Sequence, residues 1–117
     1  MNNAELGILG EKMAISHLKE LGYEIIEKNY RFLKNEIDII AKYGKQLIII
    51  EVKTRQTAEI GEPWMAVNRS KQKAIIQVAN QYIQSKQINL NTRFDIISIV
   101  HNRLRTKIEH IEDAFSC

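Results

Sequence analysis

Two segments rich in isoleucine and valine, residues 36–43 and 46–54, lie on either side of Gly44-Lys45. Such residues favour strands, and glycine at the first position of a two-residue loop is typical of a tight β-hairpin. The pattern therefore predicts a hairpin in which Tyr43 pairs with Gln46. Because strand side chains alternate between the two faces of a sheet, this register decides which side chains meet.

The predicted register brings four charged side chains together at the open end of the hairpin. Asp38 lies opposite Glu51 and Glu36 lies opposite Lys53, so all four are expected on one face. A divalent cation relieves the repulsion between neighbouring carboxylates, and ligands that are all oxygen suit Mg²⁺ or Mn²⁺ better than zinc. A lysine beside such an ion can orient water or neutralise a phosphoryl group. The alternative is a cross-strand salt bridge with no chemistry.

Two helices are predicted from apolar residues that recur at three- and four-residue steps. The first covers residues 4–21 and ends at Gly22, since glycine commonly terminates helices. The second follows a cap at Ser70, and its apolar stripe is expected to face the core. That stripe consists of Ile75, Val78, Ala79, Tyr82 and Ile83.

Three further strands are predicted, over residues 23–32, 94–100 and 105–111. The order α-β-β-β-α-β-β predicts an α/β fold, with a mixed β-sheet flanked by helices. A length of 117 residues suits a single domain over residues 1–117.

Composition and cysteine usage exclude several protein classes. A chain with 44% hydrophobic and 26% charged residues is typical of globular proteins. Its one cysteine, Cys117, excludes an internal disulfide and favours a reducing, cytoplasmic setting. We expect no membrane association and no secretory signal, because the longest aliphatic run has only about four residues and the first residues are polar.

The net charge of +3 is unevenly distributed. Residues 64–107 contain eight basic residues and one acid, a net charge of +7, whereas the remainder carries −4. For any single residue a solvated surface charge is the simpler interpretation, but the asymmetry indicates a basic face that could meet phosphates. The candidates for phosphate contact are Arg31, Arg55, Lys71 and Lys73.

Histidines and one further charged pair are interpreted as structural. His17, His101 and His110 are far apart in the sequence, so we expect surface positions and no imidazole metal site. Arg93 and Asp95 share a strand face and are expected to bridge to neighbouring residues.

The charged residues of the hairpin also resemble a known pattern. Asp38 followed by Glu51-Val52-Lys53 is similar to the Asp…Glu-x-Lys signature of the restriction-endonuclease-like nucleases, the PD-(D/E)xK superfamily. The resemblance extends along nearly the whole chain to the YraN-like family of small bacterial proteins. Members are described as predicted endonucleases distantly related to archaeal Holliday-junction resolvases. The matching motifs are Gly7-x-x-Gly10-Glu11, Asn29-Tyr30-Arg31, Glu36-Ile37-Asp38-Ile39-Ile40, Glu51-Val52-Lys53-Thr54-Arg55, Ser70-Lys71-Gln72, Arg93-Phe94-Asp95 and Ala114-Phe115.

This resemblance implies a restriction-endonuclease-like fold and a metal-dependent DNA endonuclease with Mg²⁺ or Mn²⁺ as its cofactor. It makes Asp38 and Glu51 the metal ligands and Lys53 the catalytic lysine. Glu11 would help to hold metal or water, and the glycines before it would let the first helix approach the sheet closely. The expected partner is DNA, in branched or damaged form, and the alternative of a homodimer stays open.

Two questions stay open at the level of sequence. Glu36 is either an accessory ligand or the partner of Lys53, and we favour the partner. The alternative function is a nucleic-acid-binding or scaffold protein that keeps the nuclease fold without catalysis.

Overall fold

Five strands form one mixed sheet with a helix on each face in the computed structural model of the chain, which describes residues 1–117. This is the predicted order, so the α/β class is confirmed. A short 3₁₀ helix before the second α-helix was not predicted. The elements are α1 (Asn3–Glu20), β1 (Glu24–Phe32), β2 (Asn35–Tyr43), β3 (Gln46–Arg55), the 3₁₀ helix (Pro63–Ala66), α2 (Arg69–Lys86), β4 (Asn91–His101) and β5 (Thr106–Phe115).

The strands follow chain order across the sheet, β1-β2-β3-β4-β5, and only β3 and β4 are parallel. That pair is joined by α2, because a parallel connection needs a crossover. The predicted hairpin register is confirmed: Tyr43 pairs with Gln46 and Ile39 with Ile50. Gly44 has φ of 60°, the left-handed conformation that the tight turn requires.

The aliphatic run of β3 is buried on both faces of the sheet. Leu47 and Ile49 pack on the α2 side, whereas Ile48 and Ile50 pack on the α1 side. A strand covered on both faces has continuous rather than alternating hydrophobicity, which explains the uninterrupted run. The predicted stripe of α2 is confirmed at its four buried positions, Ile75, Val78, Ala79 and Tyr82.

The cap of α2 differs from the prediction. Asn68, not Ser70, is the N-cap, and its Oδ1 accepts a hydrogen bond of 2.9 Å from the backbone N–H of Lys71. Asparagine and serine are equally good caps, so residue type alone did not distinguish them. The end of α1 is confirmed, since Gly22 follows its C-cap with φ of 90°.

Helix α1 crosses β3 at a very short distance because Gly10 has no side chain. A Cβ atom at Gly10 would lie 1.8 Å from Thr54 Oγ1 and 2.9 Å from Thr54 Cβ. At Gly7 the same atom would meet nothing within 4 Å. The expectation that glycine allows close approach is therefore confirmed for Gly10 alone.

Neither helix has the long, apolar stretch needed to cross a bilayer.

We expect Gly10→Ala to lower the free energy of unfolding by about 1–3 kcal/mol, because the added methyl group overlaps Thr54. Gly7→Ala is the matched control. It should raise that free energy by roughly 0.5–1 kcal/mol, because alanine loses less backbone entropy than glycine when the helix forms. Urea unfolding measures both. Thr54→Ala should partly rescue Gly10→Ala by removing Oγ1. Equal effects of the two glycine substitutions would contradict the close approach.

Candidate metal centre

The site begins where β2 and β3 separate. Their backbone pairing ends at Ile39 and Ile50, and beyond it the Val52 N–H donates to Asp38 Oδ2 at 2.8 Å. Ile37 packs on the α2 side and Ile39 on the α1 side, so the alternation of β2 is broken at Asp38. The carboxylate of Asp38 thus replaces the backbone partner that the Val52 N–H would have in a continued sheet. It lies in the opening between the two strands.

Asp38, which is half-buried, and Glu51, which is buried, form a pair of neighbouring carboxylates. The side chain of Glu51 is only 3% exposed, and its Oε1 atom has no hydrogen-bond donor. Burial, and then the charge of Glu51, raise the pKa of Asp38 to about 8, although the Val52 N–H acts in the opposite direction. Near neutral pH Asp38 therefore keeps a proton that an exposed aspartate would have lost.

Two lysines approach the second oxygen of Glu51. Lys71 Nζ lies 3.4 Å and Lys53 Nζ 3.9 Å from Glu51 Oε2. Lys53 comes from the same strand, whereas Lys71 comes from the first turn of α2 on the same side of the sheet. The predicted proximity of Lys53 to the acids is present, whereas the contact between Lys71 and Glu51 was not predicted.

Two further acids extend the cluster toward α1 and β1. The carboxylate oxygens of Glu11, Glu36 and Asp38 lie within 4.8 Å of one another. The Asn29 amide donates to Glu11 Oε1 at 3.0 Å and to Glu36 Oε1 at 3.2 Å. Burial raises the pKa of Glu11 and the charges of Asp38 and Glu36 add to this rise, against the Asn29 hydrogen bond. Asn29 thus bridges two carboxylates that would otherwise repel each other.

The prediction that Glu36 pairs with Lys53 is wrong. Glu36 forms an ion pair of 2.9 Å with Arg31 rather than with Lys53. The ladder between β2 and β3 ends before Glu36 would face Lys53, whereas β1 places Arg31 directly beside Glu36. The side chain of Arg31 is 65% exposed, so this pair lies at the rim of the site.

The donor set suits a hard divalent cation. All candidate ligands are carboxylate oxygens, the type that Mg²⁺ and Mn²⁺ prefer. Glu51 Oε1 is a buried acceptor without a hydrogen-bond partner, and burial together with the charge of Glu51 raises the pKa of Asp38. Glu11, Glu36 and Asp38 are the three acids whose oxygens lie close enough together to share one ion. Glu51 lies next to Asp38 but is not one of these three.

The predicted phosphate contacts fall into different environments. Arg55 and Lys53 line an open cavity of about 610 Å³, and Lys73 is exposed on α2. Arg93, counted in the basic segment, is instead bound to Asp95 at 2.9 Å, as the strand pattern predicted. The cationic groups that contact the acids are thus Arg31, Lys53 and Lys71, whereas Arg55 lies in the cavity beside Lys53.

The expectation that all three histidines are separate surface residues is wrong. His17 Nε2 and His110 Nδ1 lie 3.2 Å apart, and the side chain of His110 is only 8% exposed. His101 instead contacts Thr106, at 2.6 Å. The contact between His17 and His110 joins α1 to β5 across 93 positions of the chain, so no local pattern could have revealed it.

The family model and three similar relatives all point to the same protein family. The family model described as "Uncharacterised protein family UPF0102" matches residues 10–99. A UPF0102 protein of Christiangramia forsetii is 47% identical over 111 residues, which cover 95% of this chain and 93% of the relative. A UPF0102 protein of Thermodesulfovibrio yellowstonii is 46% identical over 115 residues, covering 98% and 99%. One of Flavobacterium psychrophilum is 42% identical over 111 residues, covering 95% and 93%.

The raised pKa of Asp38 predicts how stability depends on pH in metal-free buffer. Between about pH 4 and pH 8 the folded protein holds a proton that the unfolded chain has lost, so the free energy of unfolding falls as the pH rises. The Asp38→Asn substitution removes the carboxyl group that binds this proton. The variant should match the wild type near pH 4 and exceed its stability near pH 8.

Urea unfolding across this pH range, with a chelator present, measures the effect. Glu24→Gln is the control, because Glu24 is an exposed acid at the start of β1. Parallel pH profiles for the wild type and Asp38→Asn would show that the two carboxylates do not interact as described.

Proposed function

The chain belongs to the uncharacterised protein family UPF0102, and we propose that it is a metal-dependent endonuclease that hydrolyses phosphodiester bonds in DNA. The proposal includes the relationship to the restriction-endonuclease-like nucleases that the motifs suggest. One observation carries it: a buried glutamate, Glu51, has an oxygen without a donor and lies beside an aspartate with a strongly raised pKa. Such a pair is costly to the fold unless a cation uses it.

The charge balance of the site supports a requirement for metal. The four carboxylates, of which Asp38 keeps its proton near neutral pH, are matched by three cationic groups, so the site alone has no excess of positive charge to attract a phosphodiester. A divalent cation among the acids would reverse this balance. As the sequence resemblance implies, Asp38, Glu51 and Glu11 would hold Mg²⁺ or Mn²⁺. Glu36, whose oxygen lies within 4.8 Å of those of Glu11 and Asp38 and which also pairs with Arg31, would be a further ligand. The bound ion would supply Lewis-acid polarisation and lower the pKa of water.

In this proposal Lys53 would act on the reacting phosphate. Its side chain is about one-third exposed, its ammonium lies beside Glu51, and it lines the open cavity that also contains Arg55. An ammonium held there would orient the attacking water and offset negative charge that develops on the phosphate. Lys71, on the other side of Glu51 Oε2, would add a second positive charge for the same purpose.

DNA, branched or damaged, is the substrate that we propose. Arg55 borders the cavity, and Lys71 and Lys73 lie near the start of α2. These residues would contact phosphates on either side of the scissile bond, which positions the strand without reading its bases.

Cleavage tests the proposal directly. Purified protein should cleave members of a panel of linear, flap and four-way-junction DNA only with Mg²⁺ or Mn²⁺. Lys53→Ala should reduce the cleavage rate by at least about a hundredfold, because it removes a charge aimed at the transition state. Lys45→Ala is the matched control: Lys45 lies in the turn at the far end of the same hairpin, so its variant should cleave normally.

A melting experiment separates failure of catalysis from failure of the metal site. Free Mn²⁺ at about ten times its dissociation constant should add about 1.4 kcal/mol to the free energy of unfolding and raise the melting temperature by several degrees. Asp38→Asn should abolish this response. Metal binding and DNA binding without cleavage would support the scaffold alternative. No response to Mn²⁺ would remove the metal site.

The salt dependence of DNA binding tests the role of the lysines on α2. Affinity should fall steeply as salt rises, because each phosphate that the protein neutralises releases counterions. Neutralising Lys71 and Lys73 together should lower the slope of log affinity against log salt by roughly 1 for each phosphate that is no longer bound. Lys86→Gln, at the opposite end of α2, is the control and should leave the slope unchanged. Binding that does not depend on salt would contradict a DNA role.

A further inference from the structure

A second cluster of metal-ligating side chains lies on the α1 side of the sheet. His17 is on α1, about one and a half turns beyond Glu11, and His110 is on β5. Their nearest ring nitrogens, His17 Nε2 and His110 Nδ1, are 3.2 Å apart. The ring planes are inclined by 68°, so the two imidazoles meet edge to face rather than stacking. The acidic cluster uses neither residue.

A buried carboxylate holds His110 from behind. Asp95 Oδ2 lies 2.8 Å from His110 Nε2, and Asp95 also accepts two hydrogen bonds of 2.9 Å from Arg93 and one of 3.0 Å from the Asp113 N–H. Because an ionised carboxylate only accepts hydrogen bonds, the proton of a neutral His110 ring lies on Nε2. Its Nδ1 lone pair is therefore directed away from Asp95, on the side of His17.

A carboxylate behind a histidine is the arrangement that orients imidazole ligands in metal sites. We propose that His17 Nε2 and His110 Nδ1 bind one divalent transition-metal ion, of the zinc type, which links α1 to β5. Imidazole nitrogen suits zinc, nickel and copper, whereas Mg²⁺ prefers the oxygens of the acidic cluster. This site does not depend on the proposed nuclease function.

The spacing of the nitrogens fits such an ion. Two zinc–nitrogen bonds of about 2.0–2.1 Å at a tetrahedral angle place the nitrogens about 3.3 Å apart. The observed separation, 3.2 Å, is that of a hydrogen bond in the metal-free protein, so the rings must turn until both lone pairs meet at the ion. When His110 is neutral, the donor of that hydrogen bond is His17 Nε2. Metal binding needs the other tautomer of His17, with its proton on Nδ1, so both rings stay neutral and no net proton is released.

An open cavity gives access to His17. It has a volume of about 360 Å³ and is lined by Glu20, the one carboxylate on its wall, three residues after His17 on α1. Residues three apart share a helix face, but Glu20 does not come within 4.8 Å of both ring nitrogens, so water would fill the remaining coordination positions. The ion would add a direct link between α1, which also carries Glu11, and β5 at the sheet edge.

Calorimetric titration with Zn²⁺ tests the site, with excess Mg²⁺ present to occupy the acidic cluster. The wild type should bind one Zn²⁺ ion, and His17→Gln should weaken binding by at least about tenfold. His101→Gln is the matched control, since His101 contacts only Thr106, and Asp38→Asn should also bind normally. Zinc binding that survives His17→Gln, or that disappears in Asp38→Asn, would overturn the proposal.

A spectroscopic measurement avoids dependence on a variant that fails to fold. Substitution of the nearly buried His110 could destabilise the protein, so the wild type is loaded with Cu²⁺ under the same excess of Mg²⁺. Electron paramagnetic resonance should show hyperfine coupling to nitrogen, as imidazole ligation requires. A spectrum with oxygen ligands only would overturn the proposal, whether or not the protein cleaves DNA.

Discussion

The carboxylate of Glu51 lies inside the protein, and the arrangement of its neighbours follows from the cost of burying that charge. One oxygen is balanced by the ammonium groups of Lys53 and Lys71, whereas the other has no donor. Asp38 is held beside it by the Val52 N–H and keeps its proton because a second buried charge would be too costly. The two carboxylates lie where β2 and β3 separate, so the opening in the sheet and the acidic site are one feature.

Both faces of the sheet contribute to this site. From the α2 side comes Lys71, and from the α1 side comes Glu11, which reaches the opening because Gly10 lets the helix lie against Thr54. A larger residue at position 10 would push the helix outward and move Glu11 away from Asp38. The fit of the helix to the strand and the composition of the site therefore depend on each other.

The two polar clusters of the protein use different chemistry. The acidic cluster offers oxygen atoms to hard cations, and the pair of His17 and His110 offers nitrogen atoms to softer ones. In each cluster, a hydrogen bond from outside the cluster orients one member: the Val52 N–H orients Asp38, and Asp95 orients His110. Preorganisation of this kind would reduce the cost of binding an ion at either of the two proposed sites.

Local chemistry along the chain was enough to predict the order of elements and the hairpin register as far as Ile39 and Ile50. Asp38 lies beyond that pair, where the alternation of β2 is broken, although it is still next to Glu51 as predicted. A period of two in a strand, closed by a glycine turn, determines which residues face each other. The cap at Asn68 was missed because neighbouring residues compete for that role. The Arg31–Glu36 pair, the Lys71–Glu51 contact and the histidine pair were decided only by tertiary structure. Each joins different elements, so it depends on how far strands and helices shift against one another, and periodicity within a single element carries no information about that shift.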